Sequence, residues 1–300
     1  MQLSVVVPTL NGRERLARTL DALASEVPDA EVIVVNGPSA DGTTGMVRDR
    51  EVVDVLVEIA DRTVNAARNA GIERASGDVV ALVNHGLAVD EHWRAALADG
   101  LADADVVTGP THERLRAGMT TETVESRTIA GRAVTYVNGG NAAFRRRVLD
   151  ECDGFDEYMA IGGARDLAHR LASMDYDVDW RPGMAVQREF EADGGIRETD
   201  WDWKYRSLAY RLAKNYGVRP TVLWRLTSHA GRDAVETLRE VVRGDAEPSK
   251  WIGTGRTVLE NIAVGLKDGT SARNVDRTPR RNPNGVSTRS DRAVEVYDWR

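Results

Sequence analysis

Two short polar segments stand where they could bind a ligand, because each follows a run of apolar residues. Residues 3–7 form a largely apolar run that leads into the polar segment 9–12, and residues 31–35 lead in the same way into the polar segment 36–43. Between the two runs, leucines recur at helical spacing over residues 13–24. This pattern predicts a strand–helix–strand unit with both strands buried in a parallel sheet. Since ligands of such sheets bind beyond the carboxyl ends of the strands, we expect a binding crevice between the two polar segments.

The alternation of strand and helix patterns continues to about residue 110 and resumes further along the chain. Strands are predicted at residues 52–59, 79–83, 105–109 and 177–181, and helices at 61–75, 91–101, 144–150 and 166–174. An alternation of this kind predicts the α/β fold class, with a mostly parallel sheet flanked by helices.

Five motifs, in order, resemble those of the family 2 nucleotide-sugar glycosyltransferases, whose fold is called GT-A. They are Val-Val-Val-Pro-Thr-Leu-Asn-Gly at 5–12, Val-Asn-Gly-Pro-Ser-Ala-Asp-Gly-Thr at 35–43, Ala-Arg-Asn-Ala-Gly and the apolar run after it at 67–83, Asn-Gly-Gly-Asn and its sequel at 138–149, and Asp-Gly-Phe-Asp-Glu with Asp-Leu-Ala-His-Arg-Leu within 153–171. The resemblance extends from about residue 3 to residue 186. It implies the GT-A fold and an inverting hexosyltransferase, similar to those of haloarchaeal protein glycosylation.

The resemblance also implies the partners and which residues contact them. A uridine or guanosine diphosphate sugar would be the donor, and a glycan or polyprenyl-phosphate-linked molecule the acceptor. The motifs assign to the donor Pro8, Leu10, Asn11, Asn36, Asp41, Arg68, Asn84 and His85, and to the diphosphate or acceptor Asn141, Arg146 and Arg165. Asn36 stands where the family usually has an aspartate, so the acceptor oxygen is kept and the charge is lost.

The family's metal-binding Asp-x-Asp motif is replaced in this chain. Asn84, His85 and Gly86 follow the central strand, and an amide with one imidazole makes a poor site for Mg²⁺ or Mn²⁺. No metal ligand is therefore assigned and Mg²⁺ or Mn²⁺ is only weakly supported as a cofactor, with His85 a weak candidate ligand for a softer ion. Either guanidinium forks such as those of Arg146 and Arg165 neutralise the diphosphate, or activity has been lost.

The catalytic base of the family is also altered. Its Glu-Asp pair precedes Asp-Leu-x-x-Arg, and here Gly163 and Ala164 occupy that stretch, which leaves Asp166 as the candidate base. An aspartate beside Arg165 should stay ionised, although capping of a helix is an alternative role for it. Two functions stay open: an active inverting transferase with atypical metal and base sites, or a catalytically inactive protein that binds a nucleotide sugar or a glycan.

After residue 190 the pattern changes to amphipathic helices. We predict a GT-A domain at 1–190, a helical extension at 191–266 and a disordered polar tail at 267–300. The helix at 200–217 combines aromatic and apolar with basic residues: Trp201, Trp203, Tyr205, Leu208 and Leu212 with Lys204, Arg206, Arg211 and Lys214, and Trp224 follows in the next helix. Such a helix can lie on a membrane surface, so we expect peripheral membrane contact through residues 200–230, the alternative being that its rings dock onto the sheet domain.

The composition is acidic and poor in lysine. Asp and Glu number 47 against 40 Lys and Arg, giving a formal net charge of −7. This balance suggests a halophilic origin, and no nucleic-acid partner is expected. Cys152 is the single cysteine, and no segment has the pattern of a signal peptide or a membrane span, so we expect a reducing, cytoplasmic location.

Overall fold

The computed structural model describes residues 1–115, 118–121, 123–188, 201–243 and 248–300. The strands in these ranges are β1 (Leu3–Thr9), β2 (Glu31–Asn36), β3 (Val55–Ile59), β4 (Val79–Val83), β5 (Ala88–Val89), β6 (Val106–Thr108), β7 (Thr111–Leu115), β8 (Gly118–Thr121), β9 (Ser126–Ile129), β10 (Arg132–Thr135), β11 (Asn141–Arg145), β12 (Val178–Trp180), β13 (Val186–Arg188) and β14 (Ala293–Asp298). The α-helices are α1 (Arg13–Glu26), α2 (Thr43–Arg48), α3 (Val64–Arg74), α4 (Trp93–Asp103), α5 (Arg146–Cys152), α6 (Gly163–Ser173), α7 (Trp201–Tyr216), α8 (Pro220–Arg243) and α9 (Pro248–Val275).

The main sheet has eight strands in the order β12-β6-β11-β4-β1-β2-β3-β14. Strands β1 to β4 run parallel to one another, whereas β11 runs antiparallel between β4 and β6. Thr9 at the end of β1 is in register with Asn36 at the end of β2. The predicted α/β fold, with helices around a mostly parallel sheet, is confirmed, and the two polar segments emerge at one edge of it.

Helices cover both faces of this sheet. On one face, α1 buries Leu16, Leu20 and Leu23 against the strands, and each buried leucine contributes about 1.5–3 kcal/mol relative to an exposed one. On the other face α3 lies close to β1, because a Cβ atom on Gly71 would overlap the Val6 side chain. This close approach brings the start of α3 to the carboxyl edge of the sheet.

The structure gives another role to several of the α7 residues on which the membrane expectation rests, and the membrane contact itself stays a prediction. Tyr205, Leu208 and Leu212 are buried in a cluster that also holds residues of α8 and α9, and Lys214 is completely buried in ion pairs. The ring of Trp203 packs edge-on to that of Tyr158. The helix is therefore held by its neighbours through the same residues that made it look suited to lipid.

Two tryptophans of the membrane hypothesis have no packing contact of this kind among the described residues. The side chain of Trp201 lies outside the described residues, and Trp224 of α8 is 75% exposed. Across the described part of the chain, no helix combines the length and the apolar character that crossing a bilayer requires.

The disordered tail predicted from residue 267 is wrong. Helix α9 continues to Val275, and β14 closes the sheet by pairing antiparallel with β3. Arg292, which is buried, donates to Glu73 and Glu157. A polar segment without apolar periodicity can thus be ordered by ion pairs to the sheet domain. The boundaries 1–190 and 191–266 stay predictions.

Candidate active site at the carboxyl ends of the strands

Hydrogen bonds join the two polar segments that follow β1 and β2. The backbone nitrogen of Asn11 donates to Ser39 Oγ at 2.8 Å. The side-chain oxygen of Asn11, Oδ1, accepts from the backbone nitrogen of Ala40 at 2.8 Å. Ser39 Oγ in turn donates to Oδ1 of the buried Asn36 at 2.7 Å. Asn11 takes a left-handed conformation, with φ of 49°, to make this connection. The polar segments therefore form one preorganised wall of the crevice.

Other predicted donor residues complete this wall. Asp41 Oδ2 accepts from the backbone of Arg13 at 3.0 Å, and hydrogen bonds from Thr43 and Arg13 lower the pKa of Asp41 against the opposing effect of burial. Pro8 is buried in β1, and the side chain of Leu10 would lie 3.1 Å from a Cβ atom on Gly37. The structure thus brings Pro8, Leu10, Asn11, Asn36 and Asp41 together at one edge, as predicted.

The end of the central strand β4 forms the floor of the crevice. Asn84 follows β4, and its backbone nitrogen donates to the carbonyl of Gly140 at 3.1 Å. His85 Nδ1 lies 3.1 Å from the Pro8 carbonyl oxygen, a distance at which a protonated Nδ1 donates. A Cβ atom on Gly12 would come within 2.7 Å of the His85 ring. The imidazole is therefore held against the β1 turn.

Arg68 of α3 is a buried cation beside this floor. Its Nη2 donates to the Gly139 carbonyl at 2.6 Å and to Asn84 Oδ1 at 3.4 Å, and its Nη1 donates to Asn65 Oδ1 at 3.3 Å. Its Cζ lies 5.0 Å from the centre of the Phe155 ring, and its Nε has no hydrogen-bond partner among the described residues. Burial lowers the pKa of Arg68 to about 10. A buried guanidinium without a counter-ion favours an anionic ligand.

The start of α6 forms the opposite wall. Gly162, with φ of 78°, precedes the helix, and a Cβ atom on Gly163 would overlap the Asn65 amide. The Cβ atom of Ala164 would lie 2.8 Å from one on Gly139. At residue 163 there is no room for the larger acidic side chain that the family resemblance places there, unless the backbone shifts.

Arg165 is the first charged residue of this wall, and it is paired. Its two terminal nitrogens donate to the two carboxylate oxygens of Glu125 at 3.3 and 2.6 Å, and its Cζ lies 4.5 Å from the centre of the Tyr136 ring. The hydrogen bonds from Arg165 lower the pKa of Glu125. Arg165 lies at the start of α6, and its charge is balanced within the protein by Glu125; its role toward the acceptor stays a prediction.

Asp166 does not fit the role of a catalytic base, because it is completely buried and both of its oxygens are occupied. Oδ2 accepts from Arg170 Nε at 2.9 Å and Lys214 Nζ at 2.8 Å, and Oδ1 accepts from Asn215 Nδ2 at 2.9 Å. Against the effect of burial, Lys214 and Arg170 lower its pKa to about 2. Asp166 is an anchor between α6 and α7, and the assignment as base is corrected.

Two further assignments are corrected by position. Arg146 follows β11, which runs antiparallel, so it lies at the opposite edge of the sheet, where it donates to the carbonyls of Gly77 and Ala75. Asn141 is buried, with Oδ1 accepting from Trp93 Nε1 at 2.8 Å and Nδ2 donating to the Met184 carbonyl at 2.6 Å. Its side chain is used inside the fold and has no capacity left for a ligand.

A sequence model described as "Glycosyl transferase family 2" matches residues 4–153, half of the chain. The chain belongs to glycosyltransferase family 2. Glycosyltransferase AglE of Haloferax volcanii is 29% identical over 151 residues, which are 47% of this chain and 43% of AglE. Undecaprenyl-phosphate mannosyltransferase of Micrococcus luteus is 26% identical over 220 residues, 65% of this chain and 89% of that protein. The chain thus spans less than half of AglE but most of the mannosyltransferase.

Solved structures show the same fold. S. aureus TarS 1–349 in complex with UDP-GlcNAc has a TM-score of 0.62 at 14% identity, over 91% of this chain and 92% of TarS 1–349. Mannosyltransferase PcManGT from Pyrobaculum calidifontis, in complex with GDP-Man and Mn²⁺, has a TM-score of 0.52 at 17% identity, over 93% of this chain and 77% of that one. These neighbours support the GT-A architecture of this family 2 glycosyltransferase.

The crevice of this family 2 glycosyltransferase does not suit a hard divalent cation. Asn84 Oδ1 already accepts from a guanidinium, and the like charge of Arg68 would repel a metal ion placed there. No group of three or more His, Cys, Asp or Glu side chains able to hold a metal occurs among the described residues. The chemistry of the donor set therefore disagrees with the Mg²⁺ or Mn²⁺ site that the fold implies.

Sequence patterns did not reveal two residues of the acceptor wall. Glu125 lies forty positions before Arg165, and Arg211 lies on α7, where it read as part of a surface stripe. A Cβ atom on Gly162 would come within 3.1 Å of Arg211 Nη1, and burial lowers the pKa of Arg211 to about 10. Glu125 is identified only through its contact with Arg165, and Arg211 only through the contact of α7 with the start of α6.

Proposed function

We propose that this protein transfers a hexose from a nucleotide-diphosphate sugar to an acceptor hydroxyl, with inversion and without a divalent metal. Arg68 would bind the diphosphate in place of the ion that paired carboxylates hold. The donor nucleotide would lie along the wall formed by Asn11, Asn36 and Asp41.

The observation that carries the proposal is the position of Arg68. It is buried, lies within hydrogen-bond distance of Asn84 and has an Nε atom with no partner among the described residues. A guanidinium fork suits phosphate oxygens, and its charge acts strongly in a site from which water is excluded. The same cation that excludes a metal can therefore stabilise the diphosphate as it leaves.

Glu125 is the candidate for the base in this proposal. Its carboxylate is partly exposed, and Arg165 holds it on the acceptor wall in the ionised form. In the transfer, the acceptor oxygen forms a bond to the anomeric carbon while the bond from that carbon to the phosphate oxygen breaks. The diphosphate leaves with the electron pair, and the acceptor proton passes to Glu125. The lowered pKa makes Glu125 a weak base, so a slow reaction is expected.

The acceptor in this proposal is a glycan or a lipid-linked molecule that carries phosphate. Similarity to an undecaprenyl-phosphate mannosyltransferase supports the second possibility. Arg165 and Arg211 on the same wall could bind such a phosphate, because their guanidinium groups flank Gly162 and the first turn of α6.

A catalytically inactive binding protein is the second candidate function. The glycine and alanine at residues 163 and 164 and the burial of Asp166 favour it, because they remove the carboxylates that the family uses for proton transfer. The donor wall and Arg68 would serve binding equally well.

Radiolabelled UDP- and GDP-sugars, assayed with and without EDTA, separate these functions. The transferase is supported if sugar transfer or slow donor hydrolysis persists in EDTA. The rate should then fall at least about tenfold in Glu125→Gln, since a positioned base contributes about 10²–10⁴-fold. Arg127→Gln is the matched control, because Arg127 contacts the same carboxylate from a more exposed position. Tight donor binding without turnover would favour the binding protein, and turnover that requires Mg²⁺ or Mn²⁺ would contradict the proposal.

A further inference from the structure

A second cavity lies at the other end of α6 from the crevice. It has a volume of about 440 Å³ and is bounded by the β9–β10 turn, the last residues of α6 and α7, and the chain that leaves α9. Helix α6 has 11 residues, and with a rise of 1.5 Å per residue its two ends are about 15 Å apart. The cavity is therefore separate from the donor crevice.

The lining of this cavity, which we call the arginine cavity, is strongly basic. It contains five arginines and no aspartate or glutamate: Arg132, Arg219, Arg273, Arg277 and Arg281. None of the five forms an ion pair with a carboxylate in the described ranges. In a chain whose formal net charge is −7, such a concentration of unbalanced positive charge is unexpected.

Local structure accounts for only part of this charge. Arg273 Nη1 donates to the carbonyls of Lys214 and Asn215 at 3.0 and 3.1 Å, and so caps the end of α7. Arg281 Nη1 donates to the carbonyl of Asp276 at 3.2 Å. The carboxyl ends of α6 and α7 together supply a partial charge of about −1, since each helix end carries roughly −0.5. The Asp276 carboxylate also attracts Arg281 but is shared with Arg280, so much of the charge of five guanidinium groups is left uncompensated.

Arg132 gives a second, independent sign that the cavity suits an anion. Its Nη1 atom is buried and has no hydrogen-bond partner among the described residues, and its Cζ lies 5.6 Å from the centre of the Tyr216 ring. Burial and the nearby arginines also lower the pKa of Arg273. A buried donor without a partner is destabilising, so an acceptor at this position would be favourable.

We propose that the arginine cavity binds the phosphate groups of an oligophosphate anion. Guanidinium groups converging from three chain segments can each donate in pairs to phosphate oxygens, and a chain of two or three phosphates carries enough negative charge to balance them. The same phosphate chemistry could come from a soluble oligophosphate or from the headgroup of a phosphorylated lipid. The site lies outside the proposed donor crevice and does not depend on it.

The arginine cavity is also joined to the crevice by side chains. Asn215 lines the cavity, and its Nδ2 donates to Asp166 Oδ1, one residue from Arg165 on the acceptor wall. An anion that orders Arg273, whose Nη1 donates to the backbone carbonyl of Asn215, would thereby support the first turn of α6. The site is placed to bias the acceptor wall without touching substrate.

Calorimetric titration with tripolyphosphate tests the site. We expect binding to the wild type and at least about tenfold weaker binding to Arg132→Gln and to Arg277→Gln, because each removes charge-assisted hydrogen bonds. Arg256→Gln is the matched control, since Arg256 lies on α9 but is 82% exposed and pairs with Glu260. Arg68→Gln, which weakens the proposed diphosphate site in the crevice, should leave intact the part of the binding that Arg132→Gln and Arg277→Gln remove. Unaltered affinity in both cavity variants, or loss of all binding in Arg68→Gln alone, would overturn the proposal.

Two further readouts separate a ligand site from a structural role and identify its source. Without ligand, Arg277→Gln should unfold at the same or a higher temperature, because repulsion is relieved; a clear fall in that temperature would mean that the arginines serve the fold. Sedimentation with phosphatidylcholine vesicles, with or without phosphatidic acid, measures whether the protein binds a phosphorylated lipid. If the wild type binds only the vesicles that contain phosphatidic acid, and Arg277→Gln loses this binding, the ligand is a lipid phosphate. If the wild type binds neither tripolyphosphate nor these vesicles, the site is refuted.

Discussion

Arg68 Nη2 lies 3.4 Å from Oδ1 of Asn84, the first residue after the central strand. A guanidinium therefore reaches the place where the Asp-x-Asp motif would begin. Because an amide stands here in place of a carboxylate, the Arg68 charge is not neutralised at this position and would repel a metal ion. This pairing is why we expect donor binding without a divalent ion.

The buried ion-pair cluster around Asp166 should be essential for stability. Lys214 Nζ lies 2.6 Å from Asp156 Oδ2 and 2.8 Å from Asp166 Oδ2, with all three side chains completely buried. Lys214→Met leaves two buried carboxylates with less compensation, so we expect a loss of about 3–5 kcal/mol in denaturant unfolding. Lys204→Met on the same helix removes a partly exposed pair with Asp233 and should cost about 0–1 kcal/mol. If both variants lost the same free energy of unfolding, burial of the ion pair would not be what determines its contribution to stability.

His169 should make stability fall below neutral pH. Burial, with Arg211 nearby, lowers its pKa to about 3, whereas the unfolded chain binds this proton near pH 6.5. Because the unfolded state takes up the proton first, stability from this group is full above about pH 6.5 and declines as the pH falls toward 3, by at most about 1.4 kcal/mol per pH unit. Unfolding measured between pH 7 and 5 should show a smaller slope in His169→Gln.

The exposed His92 provides the control for this slope. Its side chain is 78% exposed, so His92→Gln is the control for the effect of a His→Gln substitution as such. A wild-type slope that His169→Gln does not reduce would mean that His169 can take up a proton in the folded state.

In the C-terminal helices, substitution of a buried residue should cost far more stability than substitution of an exposed one. Leu212 is 1% exposed, so Leu212→Ala should cost about 2–5 kcal/mol of unfolding free energy. Trp224 is 75% exposed, and Trp224→Ala should change stability by no more than about 0.5 kcal/mol. Thermal or denaturant unfolding measures both. A large loss for Trp224→Ala would place that ring in a packed interface.

The sequence predicts the sheet better than it predicts the site. Apolar runs of five residues are long enough to identify β1, β2 and β4, and parallel pairing then brings Asn11, Asn36 and Asp41 to one edge. Arg146 was misplaced because the direction of β11 depends on pairing across the sheet, which no local pattern records. Asp166 was misassigned because its partner Lys214 lies on a helix 48 positions away.

The C-terminal region resists prediction for a different physical reason. In α7, aromatic and basic residues on one helix suit a membrane and a packed helical cluster equally well, and only the structure shows the cluster that α9 completes. The tail lacks apolar periodicity, yet Arg292 orders it through Glu73 and Glu157. Composition alone does not reveal such long-range ion pairs.

Donor affinity of Arg68 variants in the presence of EDTA tests the central claim most directly. By calorimetric titration with the preferred nucleotide sugar, the wild type should bind without metal, Arg68→Gln should bind about 10–100-fold more weakly, and Arg68→Lys should lie between them, since each charge-assisted hydrogen bond contributes about 1.5–3 kcal/mol. Arg74→Gln, an exposed position at the far end of α3, should bind as the wild type does. Equal affinity in wild type and Arg68→Gln, or wild-type binding that appears only with Mn²⁺ or Mg²⁺, would contradict the account.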